Sequence, residues 1–382
     1  MTWGKALIRD VASFVMGQAP PGTEVNEIGL GIPFFRSGEF EDIRPKIAAW
    51  TTKPLRLALP TDVFVCVVGA NAGEVNRGAD GAIGRSIGAV RSGDRLDHDY
   101  LYYFLRSIEV FLRNTAQGSA QAVISKDDLG RIEIPLPVLA EQRAIAGVLG
   151  VLDDKIESNL RIATGLRAYG QALLSQVMTP CSVRRPLRTA VKSVARGVAP
   201  KYVDDDKSPL VLNQRCVRNG RVELSSARRM QSRNVSPDRV AMPGDILVNS
   251  TGTGTLGRVA RWNGDAIFVD GHVSVVRPDP EKYPPTALAY LLLSSQLEIE
   301  DLAEGSTGQT ELSPKRLLDF HVAMPSVADA ELLEAELIDL EFRGEKALDE
   351  SRVLMALRDA LLPELLSGRL RVKDVESMVG NV

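Results

Sequence analysis

The chain repeats itself, and no other feature limits its possible folds as strongly. Leu7-Ile8-Arg9-Asp10-Val11-Ala12-Ser13 aligns with Leu187-Arg188-Thr189-Ala190-Val191-Lys192-Ser193. Each copy continues to a glycine and then Ala-Pro, Gly17 with Ala19-Pro20 and Gly197 with Ala199-Pro200. Asp62-Val63-Phe64-Val65 followed by Gly69 matches Asp245-Ile246-Leu247-Val248 followed by Gly252, each an apolar run of strand length closed by a glycine. Ile87-Gly88-Ala89-Val90-Arg91 and Val273-Ser274-Val275-Val276-Arg277 predict a second strand, and Tyr102-Tyr103-Phe104-Leu105-Arg106-Ser107 and Tyr290-Leu291-Leu292-Leu293-Ser294-Ser295 a helix. Glycine-polar loops follow, Gly118-Ser119-Ala120-Gln121 and Gly305-Ser306-Thr307-Gly308-Gln309. Both copies then close alike, with Ile124-Ser125, Leu129, Ile134 and Pro137 against Leu312-Ser313, Leu317, Val322 and Pro325. Each copy therefore reads as an α/β domain of about 140 residues, an ordinary domain size.

Beyond each closing proline the pattern turns helical. Spacings of four and three recur at Ile145, Leu149, Leu152, Ile156, Asn159, Ala163, Leu166, Gly170, Leu173 and Val177, a heptad seam in which Asn159 is the polar residue that fixes register. The second seam is weaker: Leu333, Leu337, Leu340, Ala347, Leu354, Leu361 and Leu365, interrupted by Gly344, Ser351 and Arg358. One such helix would lie on its own domain. Two in matching positions can pair as an intramolecular antiparallel coiled coil, and residues 141–178 as one helix would measure about 57 Å. The expected class is α/β with a pseudo-twofold repeat: a domain over 1–137, a helical spacer over 138–180, a second domain over 181–326, a second spacer over 327–370 and a tail over 371–382.

With 44% hydrophobic and 25% charged residues, a packed core is expected. No apolar run reaches the roughly 18 residues of a membrane helix, and the start lacks a signal-peptide stretch, so a cytoplasmic protein without a membrane partner is expected. Cys66, Cys181 and Cys216 have no C-x-x-C spacing and His98, His272 and His321 are scattered, so neither a disulfide nor a metal is expected. The net charge of −3 taken alone argues against a nucleic-acid binder. Its distribution does not: residues 184–282 have an excess of Arg and Lys and residues 328–376 of Asp and Glu, which suits two kinds of partner.

Three local signatures go further. Ile134-Pro135-Leu136-Pro137 leads into Glu141-Gln142-Arg143-Ala144-Ile145, Leu152-Asp153-Asp154-Lys155-Ile156 follows, and Leu362-Pro363-Glu364-Leu365-Leu366-Ser367-Gly368-Arg369-Leu370 lies near the end. With the order domain, helix, domain, helix, the chain resembles the specificity subunit of type I restriction-modification systems over nearly its whole length. It departs where Met324-Pro325 is followed by Ala330-Glu331 instead of a Glu-Gln-Arg-like segment. The resemblance implies two target-recognition domains, each reading one half of a split sequence in double-stranded DNA. It also implies helices that dock two methyltransferase subunits, a restriction subunit joining where one exists, and no catalytic centre or cofactor in the chain itself.

Two similar domains about a twofold axis would address DNA in inverted orientation, with an asymmetric target and a spacer bounded near about 17 base pairs at about 3.4 Å each. Arg, Lys, Asn, Gln and Ser are the side chains suited to phosphates and base edges. Candidates in the second domain are Asn213, Gln214, Arg215, Arg218, Arg221, Arg228, Arg229, Arg233, Ser306 and Gln309; in the first, Arg36, Arg44, Lys46, Lys53, Arg56, Ser119 and Gln121.

Gly252-Thr253-Gly254-Thr255-Leu256-Gly257 fits a dinucleotide fingerprint, but Arg258-Val259-Ala260-Arg261-Trp262 after it alternates like a strand, so a turn is expected. Pro284-Pro285 lacks the preceding Asn or Asp of an adenine methyltransferase motif, and no phosphate loop ends in Gly-Lys-Ser or Gly-Lys-Thr. The rival readings are a diverged scaffold that binds methyltransferase-like partners without reading DNA, and a fused enzyme, which would need a catalytic motif.

Overall fold

The computed structural model describes residues 3–41, 43–117, 123–178, 183–304 and 311–374. The chain divides into two compact units, residues 1–161 with 348–382 and residues 162–347. Cys181, Ser119, Gln121, Ser306, Gln309 and residues 375–382 lie outside the described residues.

In the first unit the strands are β1 (Ala12–Met16), β2 (Val25–Asn26), β3 (Ile32–Phe35), β4 (Trp50–Thr51), β5 (Leu57–Ala58), β6 (Asp62–Cys66), β7 (Val75–Arg77), β8 (Gly81–Ile83) and β9 (Ile87–Ser92). They form an antiparallel sheet, β1-β9-β6-β7, and a sheet ordered β2-β4-β3-β8-β5 in which β3 and β8 run parallel. Helices α1 (His98–Ser107), α2 (Lys126–Gly130) and the 39-residue α3 (Leu139–Val177) follow. The second unit repeats this with β10 (Val191–Arg196), β11 (Leu210–Leu212), β12 (Arg228–Arg229), β13 (Val240–Ala241), β14 (Ile246–Asn249), β15 (Val259–Arg261), β16 (Ile267–Val269) and β17 (Val273–Pro278). Its sheets are β10-β17-β14-β15 and β12-β11-β16-β13, with β11 and β16 parallel. Then come α4 (Pro285–Ser294), α5 (Pro314–Asp319) and the 41-residue α6 (Val327–Ser367).

The repeated residues have repeated jobs. Ser125 and Ser313 cap α2 and α5 by accepting from the N–H of Asp128 and of Arg316, which satisfies donors that a helix start otherwise leaves unpaired. Before them the buried Ile124 and Leu312 each donate a backbone N–H, to Val67 O and Ser250 O, both at 2.8 Å. A Cβ on Gly17 or on Gly197 would collide with the carbonyl oxygen of Gly84 or of Val269, so only glycine fits either position. One alignment needs correcting by a residue. Helices α1 and α4 start at His98 and Pro285, and Arg77 bonds to Asp99 as Arg261 bonds to Thr286 Oγ1, so Tyr103 and not Tyr102 is the counterpart of Tyr290.

Gln142 proves to be an anchor. It is fully buried; its Nε2 donates to Arg95 O (3.1 Å) and Pro137 O (2.8 Å), and its Oε1 accepts from Asp97 N (2.8 Å), next to the carboxylate that caps α1. Gln142→Ala orphans these buried groups at about 1–3 kcal/mol for each one left unsatisfied, and thermal unfolding should show a melting temperature lowered by several degrees. In the second unit the buried Ala330 occupies the matching place. One turn on, Glu334 accepts from Thr286 N (2.8 Å) and Ala287 N (2.9 Å), at the start of a helix whose Pro284 N-cap makes no side-chain bond. The sequence departure at Ala330-Glu331 is thus compensated locally by a different acceptor.

In the first unit the core includes Val63, Val65, Val90, Tyr100 to Leu105 from α1, Ile145 and Leu149 from α3, and Leu362 and Leu365 from α6. The second unit's core joins Ile246, Val248 and Val276 to Leu288 and Leu292, Leu174 of α3, and Leu337 and Leu340 of α6. Of the expected seam, Ile145, Leu149, Ile156, Asn159, Leu337 and Leu340 are buried, whereas Leu152, Leu166, Leu333, Leu354 and Leu361 are only half-buried. Asp153 is buried in place of Leu152, and Leu362 in place of Leu361. An α-helix advances 3.6 residues per turn, so a strict heptad template drifts off the buried stripe within a few turns. Gly344, Ser351 and Arg358, which read as interruptions, lie on that stripe and are buried.

Within the first unit α3 is joined to α6 and to the segment just after it by polar pairs whose order reverses: Glu141 with Arg371, Asp153 with Arg358, and Lys155 and Asn159 with Glu350. Asp153 is the centre of a buried set. It accepts from Arg358 Nη1 at 2.8 Å and from the Tyr103 hydroxyl at 2.7 Å, and Arg77, stacked over the ring of Tyr102, lies 3.8 Å away. Burial acts to lower the pKa of Arg358, and the hydrogen bond and charge of Asp153 more than offset it, so the guanidinium is held firmly protonated. In the second unit the counterpart of Arg77, Arg261, pairs with Glu341 of α6.

Candidate nucleic-acid interface

The two parallel strand pairs, β3 with β8 and β11 with β16, set the geometry of the site. Parallel strands present their carboxyl ends together, the edge of a sheet at which α/β folds place ligands. Phe34 and Phe35 lie beside Ala82 and Ile83, and Val211 and Leu212 beside Phe268 and Val269, so the chain leaves each pair at the same edge. In the first unit Arg36-Ser37 and Gly84-Arg85-Ser86 emerge there, and Ser37 N donates to Ser86 Oγ at 3.1 Å. In the second Asn213-Gln214-Arg215 and Asp270-Gly271-His272 emerge, and Asp270 N donates to Leu212 O at 2.8 Å.

A third loop joins from the other sheet. Asn71 Nδ2 reaches Ser37 O at 3.3 Å in the first unit, and Asn249 Nδ2 reaches Gln214 O at 2.9 Å in the second. Gly252–Gly257 forms the turn that the sequence suggests, leading into β15, and Thr251 Oγ1 lies 2.7 Å from His272 Nδ1. A fourth segment is tied on by isolated bridges, Val68 to Val123 and Thr251 to Glu311. These flank segments 118–122 and 305–310, which contain Ser119, Gln121, Ser306 and Gln309. Each unit therefore gathers four loops, far apart in sequence, at one edge.

The proposed contact residues fall into three groups. Arg36, Gln214 and Arg215 are at the junction, and Arg56 is close to it, because its carbonyl accepts from Ile83 N at 3.0 Å. Arg36 is internally held, donating from Nε and Nη2 to Glu39 Oε1. Asn213 is buried, with Nδ2 on Ser226 O and Oδ1 on Arg215 N, so it shapes the loop. Arg228 and Arg229 are on β12, beside β11; Arg228 is exposed and Arg229 bonds to Ser208 O. The others are elsewhere. Arg44 faces Glu157 of α3, Lys46 and Lys53 are exposed beyond β3 and β4, and Arg233 donates to Ala199 O. Arg218 and Arg221 border an Asn219-Gly220 hairpin turn that packs on α3: Arg167 donates to Asn219 O, and Arg221 Nη2 is 3.4 Å from Thr164 Oγ1.

Residues that the sequence did not mark also stand at the junction. Arg85 is exposed there, and the buried Asp270, its carboxyl pushed upward by burial, accepts from His272 N at 2.8 Å. The only signal for them was their position after a β-strand in both copies. Among the described residues one grouping could hold a metal ion, Asp97, His98 and Asp99. Asp97 already caps α1 and Asp99 already pairs with Arg77. Among the described residues no helix is long and apolar enough to cross a membrane.

Residues 2–166 match the Type I restriction modification DNA specificity domain. Among curated relatives, the type I restriction enzyme MjaX specificity subunit of Methanocaldococcus jannaschii is 36% identical over 146 residues, 37% of this chain and 34% of that protein. The MjaVIII specificity subunit of the same organism is 28% identical over 156 residues, 40% of this chain and 36% of that protein. These matches span about a third of the length of each relative. The S subunit of a type I restriction-modification system from M. genitalium has the same mixed α/β fold, with a TM-score of 0.58 and 20% identity over 96% of both chains.

Proposed function

We propose that this chain is the DNA sequence-recognition subunit of a type I restriction-modification system, each unit reading one half of a bipartite, asymmetric target in double-stranded DNA. The observation that carries the reading is the duplicated four-loop junction. One copy lies in a segment of the specificity-domain family, and the other repeats its backbone with different side chains. The same frame carrying Arg36, Ser37 and Arg85 in one unit and Gln214, Arg215 and His272 in the other would read two unlike half-sequences.

The domains proposed are those of the sequence, 1–137 and 181–326, with α3 and α6 as their spacers. The spacers pair as an antiparallel coiled coil, supported by partners that fall from Arg358 to Glu350 on α6 as those on α3 rise from Asp153 to Asn159. Apolar side chains left exposed along these helices, among them Val151, Leu332 and Val353, suit docking of two methyltransferase subunits. A restriction subunit joins the assembly where the system has one. In this reading the chain works in the cytoplasm, supplies recognition and placement, and leaves the chemistry to its partners.

Modified-base sequencing of host DNA, with and without the gene, tests the proposal. One split, asymmetric methylated motif should vanish on deletion. An unchanged methylome, with methyltransferase-like proteins still co-purifying, would replace the reader by a scaffold.

A further inference from the structure

On the second unit's β12, the exposed Arg228 lies with its guanidinium carbon 3.6 Å from the centroid of the Tyr202 ring. The ring is itself held: Tyr202 forms an isolated bridge with Met230, and its hydroxyl lies 3.4 Å from Oδ2 of the buried Asp270 at the end of β16. Across β12, Arg228 stands opposite Val211, and Asn213 Nδ2 bonds to Ser226 O, so the stack borders the four-loop junction. Among the described residues Arg228 forms no ion pair with a carboxylate, unlike Arg229 on the same strand, which faces Asp206.

A guanidinium held against an aromatic side chain, here also by a hydrogen bond to the Tyr202 hydroxyl, still has N–H groups to donate and loses little freedom on binding. A phosphate contact needs charge but tolerates a loose side chain, whereas a bidentate contact to the O6 and N7 of guanine needs a fixed plane. We infer that Arg228 is a guanine reader of the second unit and Tyr202 the residue that positions it. This rests on the proposed function above and assigns one base class within it.

In the first unit the matching strand position holds no arginine. There β4 pairs with β3 as β12 pairs with β11, and the place of Arg228 falls to Ala49, which is fully buried and accepts from Phe34 N at 2.8 Å. The guanine read by Arg228 therefore belongs to one half of the target only.

The test is modified-base sequencing of cells carrying the full chain with its methyltransferase partners, as wild type, Arg228→Ala, Arg228→Lys and Tyr202→Ala. Wild type should give a split motif with a fixed guanine in one half. Arg228→Ala should lower discrimination at that one base pair about ten- to hundredfold and leave the other half sharp. Arg228→Lys keeps the charge and loses the planar fork, so it should relax the same position, and Tyr202→Ala should do so too. A motif that stays sharp in Arg228→Ala while all sites are methylated less, with Arg228→Lys behaving as wild type, would make Arg228 a phosphate contact and overturn the inference. Relaxation at a position that is not guanine would overturn it as well. A wild-type chain that gives no split motif defeats the recognition reading itself.

Discussion

Arg358→Ala should lower the stability of the first unit by about 3–5 kcal/mol, the usual cost of removing one partner of a buried ion pair. Asp153 and Arg358 have side-chain exposures of 3% and 9%, so little water reaches the carboxylate that the substitution leaves behind. Tyr103 and Arg77 would remain beside Asp153, which places the loss at the lower end of that range. Against a typical total of about 5–15 kcal/mol the effect is large, and urea unfolding should show it as an earlier midpoint. The paired replacement Asp153→Leu with Arg358→Met separates charge from packing. Stability recovered to within about 1 kcal/mol of wild type would mean that the pair mainly fixes how the two helices meet, whereas a double variant as weak as Arg358→Ala would count against that account.

On the proposed function, exchanging residues 183–326 for the matching domain of a specificity subunit should change one half of the methylated motif completely and leave the other untouched. Alteration of both halves would refute reading by separate units. The structure adds a condition. Contacts inside the second unit cross the graft boundaries, among them Arg261 with Glu341, Thr286 and Ala287 N–H with Glu334, Asn219 O with Arg167, and Tyr290 against Gly170. A donor domain without an arginine at position 261 leaves Glu341 half-buried without its cation, and burial already pushes that carboxyl above its ordinary range. Such grafts should express poorly until Glu341 is replaced by Gln, and soluble yield measures this.

Much of the fold was legible because the repeated residues answer to backbone geometry. Gly17 and Gly197 have no room for a Cβ, and Ser125 and Ser313 cap helices, so both copies kept them while their loops diverged. Asn159 was visible as a buried polar residue, although nothing in the sequence pointed to Glu350 as its partner. Asp153 and Arg358 were hidden by the heptad template, which assigns buried places to leucines and treats charges as breaks. The junction was hidden differently. Ser37 and Ser86 share no local pattern and meet only because two parallel strands end side by side, and Asn71 reaches Ser37 from the other sheet. Arg221 read as a DNA contact from composition, but Asn219-Gly220 turns its strand onto α3.

The first unit is assembled from two stretches that lie on either side of the second in sequence, whereas residues 162–347 of the second are contiguous. On the ribosome this inverts the ordinary order, in which the domain made first folds first. Residues 3–161 emerge before the second unit, yet Leu362, Leu365, Leu366 and Val372 of their core are made only after it, and Trp3 waits for Arg371 to stack on its ring. A nascent chain therefore holds an unfinished apolar surface throughout synthesis of the second unit and closes it only once residues 362–372 have followed. A message cut short before Leu362 would leave that surface open for chaperones and proteases to find, so a folded first unit certifies that translation ran at least that far.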